Sequence, residues 1–284
     1  MTLLAMLYII IPVFNRWPFT QACLQSLRQQ TVRHFRVVVV DDGSTDDTRE
    51  SLARDFAEVQ VLPGSGQLYW TAAVNLGIRY ALAYDADRIM TLNNDVVAPP
   101  DFIEKVLRWS HRQPRALLGP VELDASTGQT VFGGETFSFL THSRHSLLAS
   151  LPPEDQCGLH PVTYLPGRGL LVPAMVFRMQ GLFDERRLPH YLADYDFTSQ
   201  ARRAGFPVYI NYDTHLLTYP DESGQAKTRR QRSLRGYYQH LFGIQGGGNL
   251  RNFTYFAVKN APVFFLPFFL VNGYLRRLLG YFLR

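Results

Sequence analysis

The stretch VVVVDDGSTDDT, residues 37–48, carries the signal that decides the fold. Four consecutive valines without polar alternation are typical of a strand that is buried on both faces of a sheet. Gly43 permits a tight turn after this strand, and Ser44 or Asp46 could cap the helix that we expect over residues 47–57. By itself, the stretch predicts only a strand, a turn and the start of a helix.

The same order of elements recurs on both sides of this stretch. Apolar runs at 6–11, 35–40, 59–62, 88–92 and 207–211 indicate strands, and patterns at 19–29, 47–57, 71–84 and 194–204 indicate helices. Strands that alternate with helices form right-handed crossover units in a parallel sheet. We therefore predict an α/β fold, with a single Rossmann-like domain over residues 1–220 whose mostly parallel central sheet is flanked by helices. Residues 221–284 would form a basic loop and a C-terminal amphipathic helical tail.

Composition limits the class of protein and the kinds of partner. The chain has 284 residues, 46% hydrophobic and 19% charged, which is typical of a globular protein with a sizeable core. Its net charge of +5 is uneven. The basic residues concentrate at Lys227, Arg229, Arg230, Arg232, Arg235, Arg276, Arg277 and Arg284. This local excess favours a diphosphate or a lipid surface over nucleic acid as the partner. The two cysteines form neither a disulfide framework nor a metal-binding spacing, which fits a reducing compartment.

Both ends of the chain are apolar. The first residues have no basic leader and no cleavage site of small residues, so we interpret them as a buried strand rather than a secretory signal. Residues 261–284 are interrupted by Pro267, Asn272 and Gly273, and we expect an interfacial helix with snorkelling arginines rather than a spanning helix. A core-packing or dimer-forming helix is the alternative. The expected location is the cytoplasm, peripheral on the inner face of the cell membrane.

Polar residues follow the predicted strands. In an open parallel sheet, ligands bind outside the carboxyl ends of the strands, where Asn15, Asp41, Asp42 and residues 93–95 would gather. An aspartate there can accept a hydrogen bond from a pyrimidine N–H or a ribose hydroxyl. No G-x-G-x-x-G follows the first strand, so a nicotinamide-dependent enzyme is not expected.

A metal site is the second prediction at this edge. Asp95, aided by an amide oxygen from Asn93 or Asn94, offers the oxygen ligands that Mg²⁺ or Mn²⁺ prefers. His215 follows a predicted strand and could add an imidazole to the same metal. A hydrogen-bonded surface histidine is the alternative for His215.

Two aspartates, Asp194 and Asp196, begin the predicted helix at 194–204. Carboxylates there can cap free N–H groups and are favoured by the helix dipole. A carboxylate at the mouth of a cleft is also the usual general base for an attacking hydroxyl. The two roles could be divided between the two residues.

Taken together, these segments resemble the family 2 glycosyltransferases, inverting enzymes that move a sugar from a nucleotide diphosphate to an acceptor hydroxyl. The matching segments are IIIPVFNR (9–16), VVVVDDGSTDDT (37–48), YWTAAVNLGIRYAL (69–82), TLNNDV (91–96) and residues 167–215. The resemblance covers about residues 6–219. It implies the nucleotide-diphospho-sugar transferase fold and a rhamnosyltransferase-like member of the family. The Q-x-x-R-W signature and the multiple spanning helices of processive members are missing, so the resemblance implies a non-processive enzyme.

The resemblance also assigns roles to residues. It places Pro12, Val13, Asn15, Asp41, Asp42, Asn94 and Asp95 at the nucleotide sugar, with Asp41 on the base. It places Gly167, Arg168, Gly169 and Asp196 on the acceptor side, and Asp95 and His215 at a divalent metal, Mg²⁺ or Mn²⁺. Asp194 inherits the role of catalytic base. The family's acidic motifs are reduced here, since Asn93 and Asn94 precede Asp95 and Ala193 precedes Asp194.

The implied reaction is a single displacement with inversion at the anomeric carbon. The donor would be a UDP- or dTDP-linked sugar and the acceptor a glycan, plausibly lipid-linked, in cell-surface polysaccharide biosynthesis. The alternatives are a non-catalytic nucleotide-sugar-binding protein and a nucleotidyltransferase, although a nucleotidyltransferase would normally carry a basic, Gly-rich loop where this chain has PVFNRW.

Overall fold

The computed structural model describes residues 6–139, 143–220 and 233–283. The strands are β1 (Leu7–Val13), β2 (Phe35–Asp41), β3 (Gln60–Pro63), β4 (Arg88–Thr91), β5 (Val96–Val97), β6 (Leu117–Asp124), β7 (Thr130–Phe132), β8 (Glu135–Ser138), β9 (Ser143–Ser146), β10 (Leu159–Pro161), β11 (Leu170–Pro173) and β12 (Val208–Thr218). The helices are α1 (Trp17–Arg28), α2 (Thr48–Asp55), α3 (Tyr69–Ala83), α4 (Phe102–Arg112), α5 (Leu147–Ser150), α6 (Ala174–Gln180), α7 (Ala193–Arg203), α8 (Leu234–Phe242), α9 (Leu250–Asn260) and α10 (Leu266–Leu283).

The central sheet has the strand order β10-β12-β6-β11-β4-β1-β2-β3. Strands β3, β2, β1 and β4 are parallel, as are β6 and β12, and β11 runs antiparallel between β4 and β6. Because β11 opposes both of its neighbours, β4 and β6 point in the same direction. The carboxyl ends of β1, β2, β4 and β6 therefore meet the start of β11 at one edge. This confirms the predicted α/β fold with a mostly parallel sheet flanked by helices.

The core lies on both faces of this sheet. In β2, Val38 and Val40 pack on the side of α3 and α7, whereas Val39 packs on the side of α1 and α4. Successive strand side chains point to opposite faces, so an unbroken valine run fills both layers. All three side chains are fully buried.

The C-terminal helices form a smaller cluster that packs against the domain. Phe253 and Ala257 of α9 are buried against Phe269 of α10. The expected interruption of the last helix does not occur. Pro267 lies in the first turn of α10, where its missing N–H is tolerated, and at Gly273 a Cβ would overlap the Phe253 ring.

One helical segment of the described residues, Val263–Tyr281, is long and apolar enough to cross a membrane by length and composition alone. Only 11% of its most apolar window is buried in the protein. Its outward side chains therefore present an apolar surface without a partner in the structure.

Candidate functional site

Asp42, at the end of β2, has both carboxylate oxygens occupied by backbone amides. Oδ1 accepts from the Gly66 N–H at 2.8 Å, and Oδ2 accepts from the N–H groups of Leu68 at 2.8 Å and Tyr69 at 3.2 Å. Asp42 thus fixes the loop between β3 and α3. Its predicted contact with a nucleotide would be indirect, through the position of this loop.

One carboxylate oxygen of Asp41 accepts no hydrogen bond from the described residues. Its Oδ1 accepts from the Ser44 N–H at 2.9 Å, while its buried Oδ2 has no hydrogen-bond donor among the described residues. Arg49 Nε approaches Oδ2 at 3.6 Å from an exposed position. A buried acceptor that lacks a donor fits the predicted hydrogen bond to a base or ribose.

The loop after β1 is joined to the loop after β2. The Val13 carbonyl accepts from the Asp42 N–H at 2.8 Å, and Asn15 Oδ1 accepts from the Thr45 N–H at 2.7 Å. Asn15 has a left-handed backbone with φ of 56°. Pro12 and Val13 lie in β1 itself. These residues therefore shape the predicted nucleotide edge through the backbone of β1 and through the Asn15 side chain.

The amides of the NND motif bind neighbouring side chains. Asn93 Oδ1 accepts from Trp70 Nε1 at 2.9 Å, and Asn94 Nδ2 donates to Thr20 Oγ1 at 2.9 Å. Asp95 is the acidic member of the motif and is 15% exposed. The motif thus presents one carboxylate at the edge of the sheet.

Asp95 forms an ion pair that the sequence analysis did not anticipate. Arg16 Nη1 lies 3.3 Å from Asp95 Oδ2, and the Arg16 guanidinium also stacks over the Phe19 ring at 4.4 Å. Arg16 has a left-handed backbone with φ of 66°. Its Nη2 is buried without a hydrogen-bond acceptor among the described residues. This leaves a cationic donor group beside the predicted diphosphate position.

Gly167 and Gly169 bring Arg168 to the same edge. The Gly169 N–H donates to the Thr91 carbonyl at 2.9 Å, and Thr91 Oγ1 donates to the Gly167 carbonyl at 2.6 Å. A Cβ at Gly167 would overlap the Trp70 ring, and Gly169 has φ of 75°. Both positions therefore require glycine for close packing or for the backbone turn.

Glu122, near the end of β6, lies beneath Arg168. Its carboxylate is fully buried, and its Oε2 is 2.8 Å from Arg168 Nη2. Burial raises the pKa of Glu122 to about 7, against the opposing effect of the Arg168 charge. The charges of Asp194 and Asp95 raise it further. Glu122 was missed from the sequence, although LLGPVELD has the same signal as the other strands, an apolar run that ends in acidic residues.

Asp194 lies at the start of α7, facing the loop that carries Arg168. Its Oδ2 accepts from the Gly167 N–H at 2.9 Å, and its Oδ1 accepts from the Tyr195 N–H at 2.9 Å. Burial raises the pKa of Asp194 above its ordinary value, although these two hydrogen bonds and the Arg168 charge oppose that effect. A carboxylate with a raised pKa is a stronger base, as the predicted role requires.

Asp196 binds the C-terminal helices and not the sheet edge. Its carboxylate is 2% exposed, and it accepts from Lys259 Nζ at 2.5 Å and from Asn260 Nδ2 at 2.8 Å. These donors belong to α9. The structure thus uses Asp196 to attach the C-terminal helices to α7, whereas Asp194 faces the sheet edge.

His215 is not brought to Asp95. Val96 pairs with Thr218 in β12, so Asp95 is level with Tyr219, and His215 lies four residues earlier. That separation is about 13 Å along a strand. The nearby charges that act on His215 are those of Asp101, directly before α4, and of Lys105 in α4, and burial together with Lys105 lowers the pKa of His215. One metal ion cannot bind both side chains in this arrangement.

Without His215, Asp95 still fits a metal ion that a diphosphate would also bind. Among the described residues, no group of three or more His, Cys, Asp or Glu side chains could enclose a metal ion. Mg²⁺ is commonly bound by one or two carboxylates together with substrate phosphates and water. Asp95 can supply that single carboxylate.

The structure thus brings four charged side chains from distant parts of the chain together, namely Asp95, Glu122, Arg168 and Asp194. Arg168 and Asp95 act electrostatically on Glu122, and Arg168 acts on Asp194. The predicted basic loop falls on residues 227–232, outside the described part of the chain; Arg235 is described and lies in α8. The arrangement combines the carboxylate that is predicted to act as a base, a buried acceptor at the predicted nucleotide edge and two arginine cations.

Comparisons with known proteins bear on the family and the fold of the chain. The Glycosyl transferase family 2 profile matches residues 8–146. A Mycobacterium tuberculosis N-acetylglucosaminyl-diphospho-decaprenol L-rhamnosyltransferase is 28% identical over 223 residues, covering 71% of this chain and 72% of that protein. The Rhizobium meliloti succinoglycan biosynthesis protein ExoA is 26% identical over 217 residues, 75% of this chain and 62% of that protein.

The fold also matches solved structures. The crystal structure of S. aureus TarS 1–349 in complex with UDP-GlcNAc has a TM-score of 0.62 and 14% identity, covering 96% of this chain and 72% of that one. At this identity the match concerns the fold alone. It includes nearly the whole chain, so it extends beyond the region that the family profile matches.

Proposed function

The chain belongs to glycosyl transferase family 2, and from this premise we propose that it is an inverting enzyme that transfers one sugar from a nucleotide diphosphate to an acceptor hydroxyl. The observation that carries the proposal is Asp194, whose carboxylate is held by the Gly167 and Tyr195 N–H groups beside Arg168. Asp194 removes the proton of the acceptor hydroxyl. The hydroxyl oxygen then attacks the anomeric carbon from the face opposite the diphosphate, whose bond to that carbon breaks.

The donor is bound between the loops after β1, β2 and β4. Asp41 Oδ2 accepts a hydrogen bond from the base or ribose, which provides the donor that this buried oxygen lacks. Arg16 forms an ion pair with Asp95, Arg168 interacts electrostatically with Asp95, and both arginines attract the diphosphate. Charge-assisted hydrogen bonds from guanidinium groups are well suited to phosphate oxygens.

Family 2 glycosyltransferases generally use a divalent metal. In this chain Asp95 would hold Mg²⁺ or Mn²⁺ together with the donor's phosphates. When bound, such an ion would neutralise charge that develops on the leaving diphosphate. His215 takes no part in this site.

The names of the relatives support a choice of donor and acceptor to test. The M. tuberculosis relative is named as a rhamnosyltransferase that acts on a sugar-diphospho-decaprenol, and ExoA is named for polysaccharide biosynthesis. We therefore assign dTDP- or UDP-linked sugars, with rhamnose as the first donor to test, and a lipid-linked glycan acceptor for a cell-surface polysaccharide.

The enzyme acts at the cytoplasmic face of the membrane as a peripheral protein. The exposed side chains of Val271 (58%) and Leu275 (50%) supply an apolar surface along the last helix, and Phe264 (90%) is exposed just before that helix begins. Arg276 is exposed on the same helix. A helix with polar residues at its middle and one face packed on α9 suits an in-plane position.

The test is a transfer assay with dTDP- and UDP-sugars, Mg²⁺ or Mn²⁺, and membrane glycolipid as the acceptor. Wild-type protein should release nucleoside diphosphate only when acceptor is present, and NMR of the product should show an inverted anomeric linkage. Asp194→Asn should bind donor normally and lose about 10²–10⁴-fold in kcat. Because burial raises the pKa of Asp194, kcat should fall as pH decreases through that pKa. A near-normal kcat for Asp194→Asn would remove Asp194 from the mechanism.

A non-catalytic nucleotide-sugar-binding protein remains the second candidate. The single carboxylate of the NND motif favours it, because one carboxylate attracts a cation less than two. Donor binding without release of nucleoside diphosphate under any condition of the same assay would identify this function.

A further inference from the structure

We propose that Arg144 and Arg277 form an anion site that binds a phosphate group of the acceptor beside the catalytic base. The two arginines come from different elements, Arg144 from β9 and Arg277 from α10. This inference rests on the proposed function, since it defines the chemistry of the acceptor for the same reaction.

The geometry places both side chains on one side of the C-terminal cluster. Arg144 is the register partner of Phe137 in the β8–β9 hairpin, so the two side chains share a face. Phe137 packs edge-on against Phe269 of α10 at 5.7 Å. Phe269 and Arg277 are eight residues apart, about two helical turns, and therefore lie on the same stripe of α10. The hairpin consequently presents Arg144 to the side of α10 that carries Arg277.

Arg277 is held in place but incompletely paired. Its guanidinium lies over the Phe253 ring at 3.7 Å, and its Nη1 donates to the Gly273 carbonyl at 3.2 Å. Its Nε is buried and has no hydrogen-bond acceptor among the described residues. Burial and the nearby Arg144 charge lower the pKa of Arg277 to about 10. A bound anion would relieve this repulsion and supply the missing acceptor.

Arg144 is only partly neutralised. Its Nη1 lies 3.8 Å from Glu135 Oε2, which also accepts a hydrogen bond from Tyr164 at 3.1 Å. At this distance the ion pair is long for a direct hydrogen bond. A guanidinium has five N–H donors, so Arg144 can bind an anion while it keeps Glu135.

An aromatic pair connects this site to the base. Tyr164 packs against Phe137 at 6.2 Å and stacks on Tyr195 at 4.1 Å. Tyr195 directly follows Asp194, and the Arg144 charge acts on Tyr195. An acceptor whose phosphate binds the two arginines would therefore place its sugar near Asp194.

The ligand is a phosphate or diphosphate ester, and the structure favours one carried by a lipid. The helix that supplies Arg277 also exposes Val271 and Leu275, and Phe264 is exposed just before that helix begins. A lipid chain could pass along this apolar surface while its phosphate reaches the arginines. A water-soluble phosphorylated glycan would use the same two arginines without the apolar surface.

The test measures binding of farnesyl diphosphate, inorganic pyrophosphate and farnesol by calorimetry, with saturating UDP or dTDP present to fill the nucleotide site. Arg144→Gln and Arg277→Gln should each weaken farnesyl diphosphate binding at least tenfold. Arg276→Gln, which removes the adjacent exposed arginine, is the matched control and should change it less than twofold. Arg277→Lys, which keeps the charge, should retain more affinity than Arg277→Gln.

The outcomes separate the ligand sources. Tighter binding of farnesyl diphosphate than of pyrophosphate identifies a lipid-borne phosphate, and equal binding with the same dependence on arginine identifies a soluble phosphorylated acceptor. Wild-type affinity in both glutamine variants, or farnesol binding as tightly as farnesyl diphosphate, would overturn the anion site. These binding measurements do not test the transfer reaction that depends on Asp194. The anion site and the proposed function can therefore fail separately.

Discussion

The buried carboxylate of Glu122 gives a quantitative prediction for the substitution Glu122→Gln. Burial raises its pKa from the ordinary value of 4.5 to about 7 in the folded protein. Below pH 4.5 the side chain is neutral in both folded and unfolded states. As pH rises from 4.5 through 7, the unfolded chain ionises this group while the folded protein still keeps it protonated, so stability is lost progressively over this range.

The size of this loss follows from the pKa difference. One pKa unit corresponds to about 1.4 kcal/mol, so the ionised group destabilises the folded state by about 3 kcal/mol relative to its neutral form. Glutamine cannot ionise, so it makes no such pH-dependent contribution to the stability of the protein. The stability of Glu122→Gln relative to wild type should therefore rise by about 3 kcal/mol between about pH 5 and pH 8.

Urea unfolding followed by fluorescence at several pH values measures this difference directly. Glu104→Gln, which removes an exposed carboxylate of α4, is the control, and we expect its difference from wild type to change by less than about 0.5 kcal/mol. A difference between Glu122→Gln and wild type that does not vary with pH would refute the conclusion that burial raises the pKa of the Glu122 carboxyl.

Three further predictions concern the sheet edge. Gly167→Ala should destabilise the protein by about 1–3 kcal/mol in thermal unfolding, because its Cβ would overlap the Trp70 ring; an unchanged Tm would contradict that packing. Asp41→Asn should weaken nucleoside diphosphate binding about tenfold by calorimetry, since the buried Oδ2 loses its acceptor strength; equal affinity would place the base elsewhere. His215→Ala should leave the Mg²⁺ or Mn²⁺ dependence of transfer within twofold of wild type, whereas a large shift would return His215 to the metal site of Asp95.

The alternation of strands and helices could be predicted from the first hundred residues because each element has a local signal. The valine run of β2 and the turn at Gly43 are determined by neighbouring residues. The hydrogen bonds of the Asp42 carboxylate could not be predicted, because the backbone N–H groups that it binds lie 24 to 27 residues further along the chain. When two aspartates are adjacent, the sequence does not show which carboxylate will accept hydrogen bonds from the next loop.

The prediction for His215 depended on where a strand ends. We expected that strand at residues 207–211, but β12 continues to Thr218, with a register shift between Asn211 and His215. His215 therefore lies within a strand instead of after it. The region of α4 and β6 was not assigned from the sequence, so Glu122 was missed together with its strand. The roles of Pro12, Val13, Asn15, Asn94 and Asp194 at the substrate stay predictions.

The contact of Asp196 with Lys259 and Asn260 has a practical consequence for dissecting this enzyme. Asp196 lies two residues after Asp194, on the same helical turn, so the helix that begins at the proposed base is anchored by side chains from the chain's last quarter. Deleting everything after residue 220 to obtain a more easily handled protein would remove the cation and the amide that bind Asp196 and uncover the face of α7 that α9 contacts. Shortening the protein after Ala261 keeps this anchor, and it is the cut that can separate attachment to lipid from turnover.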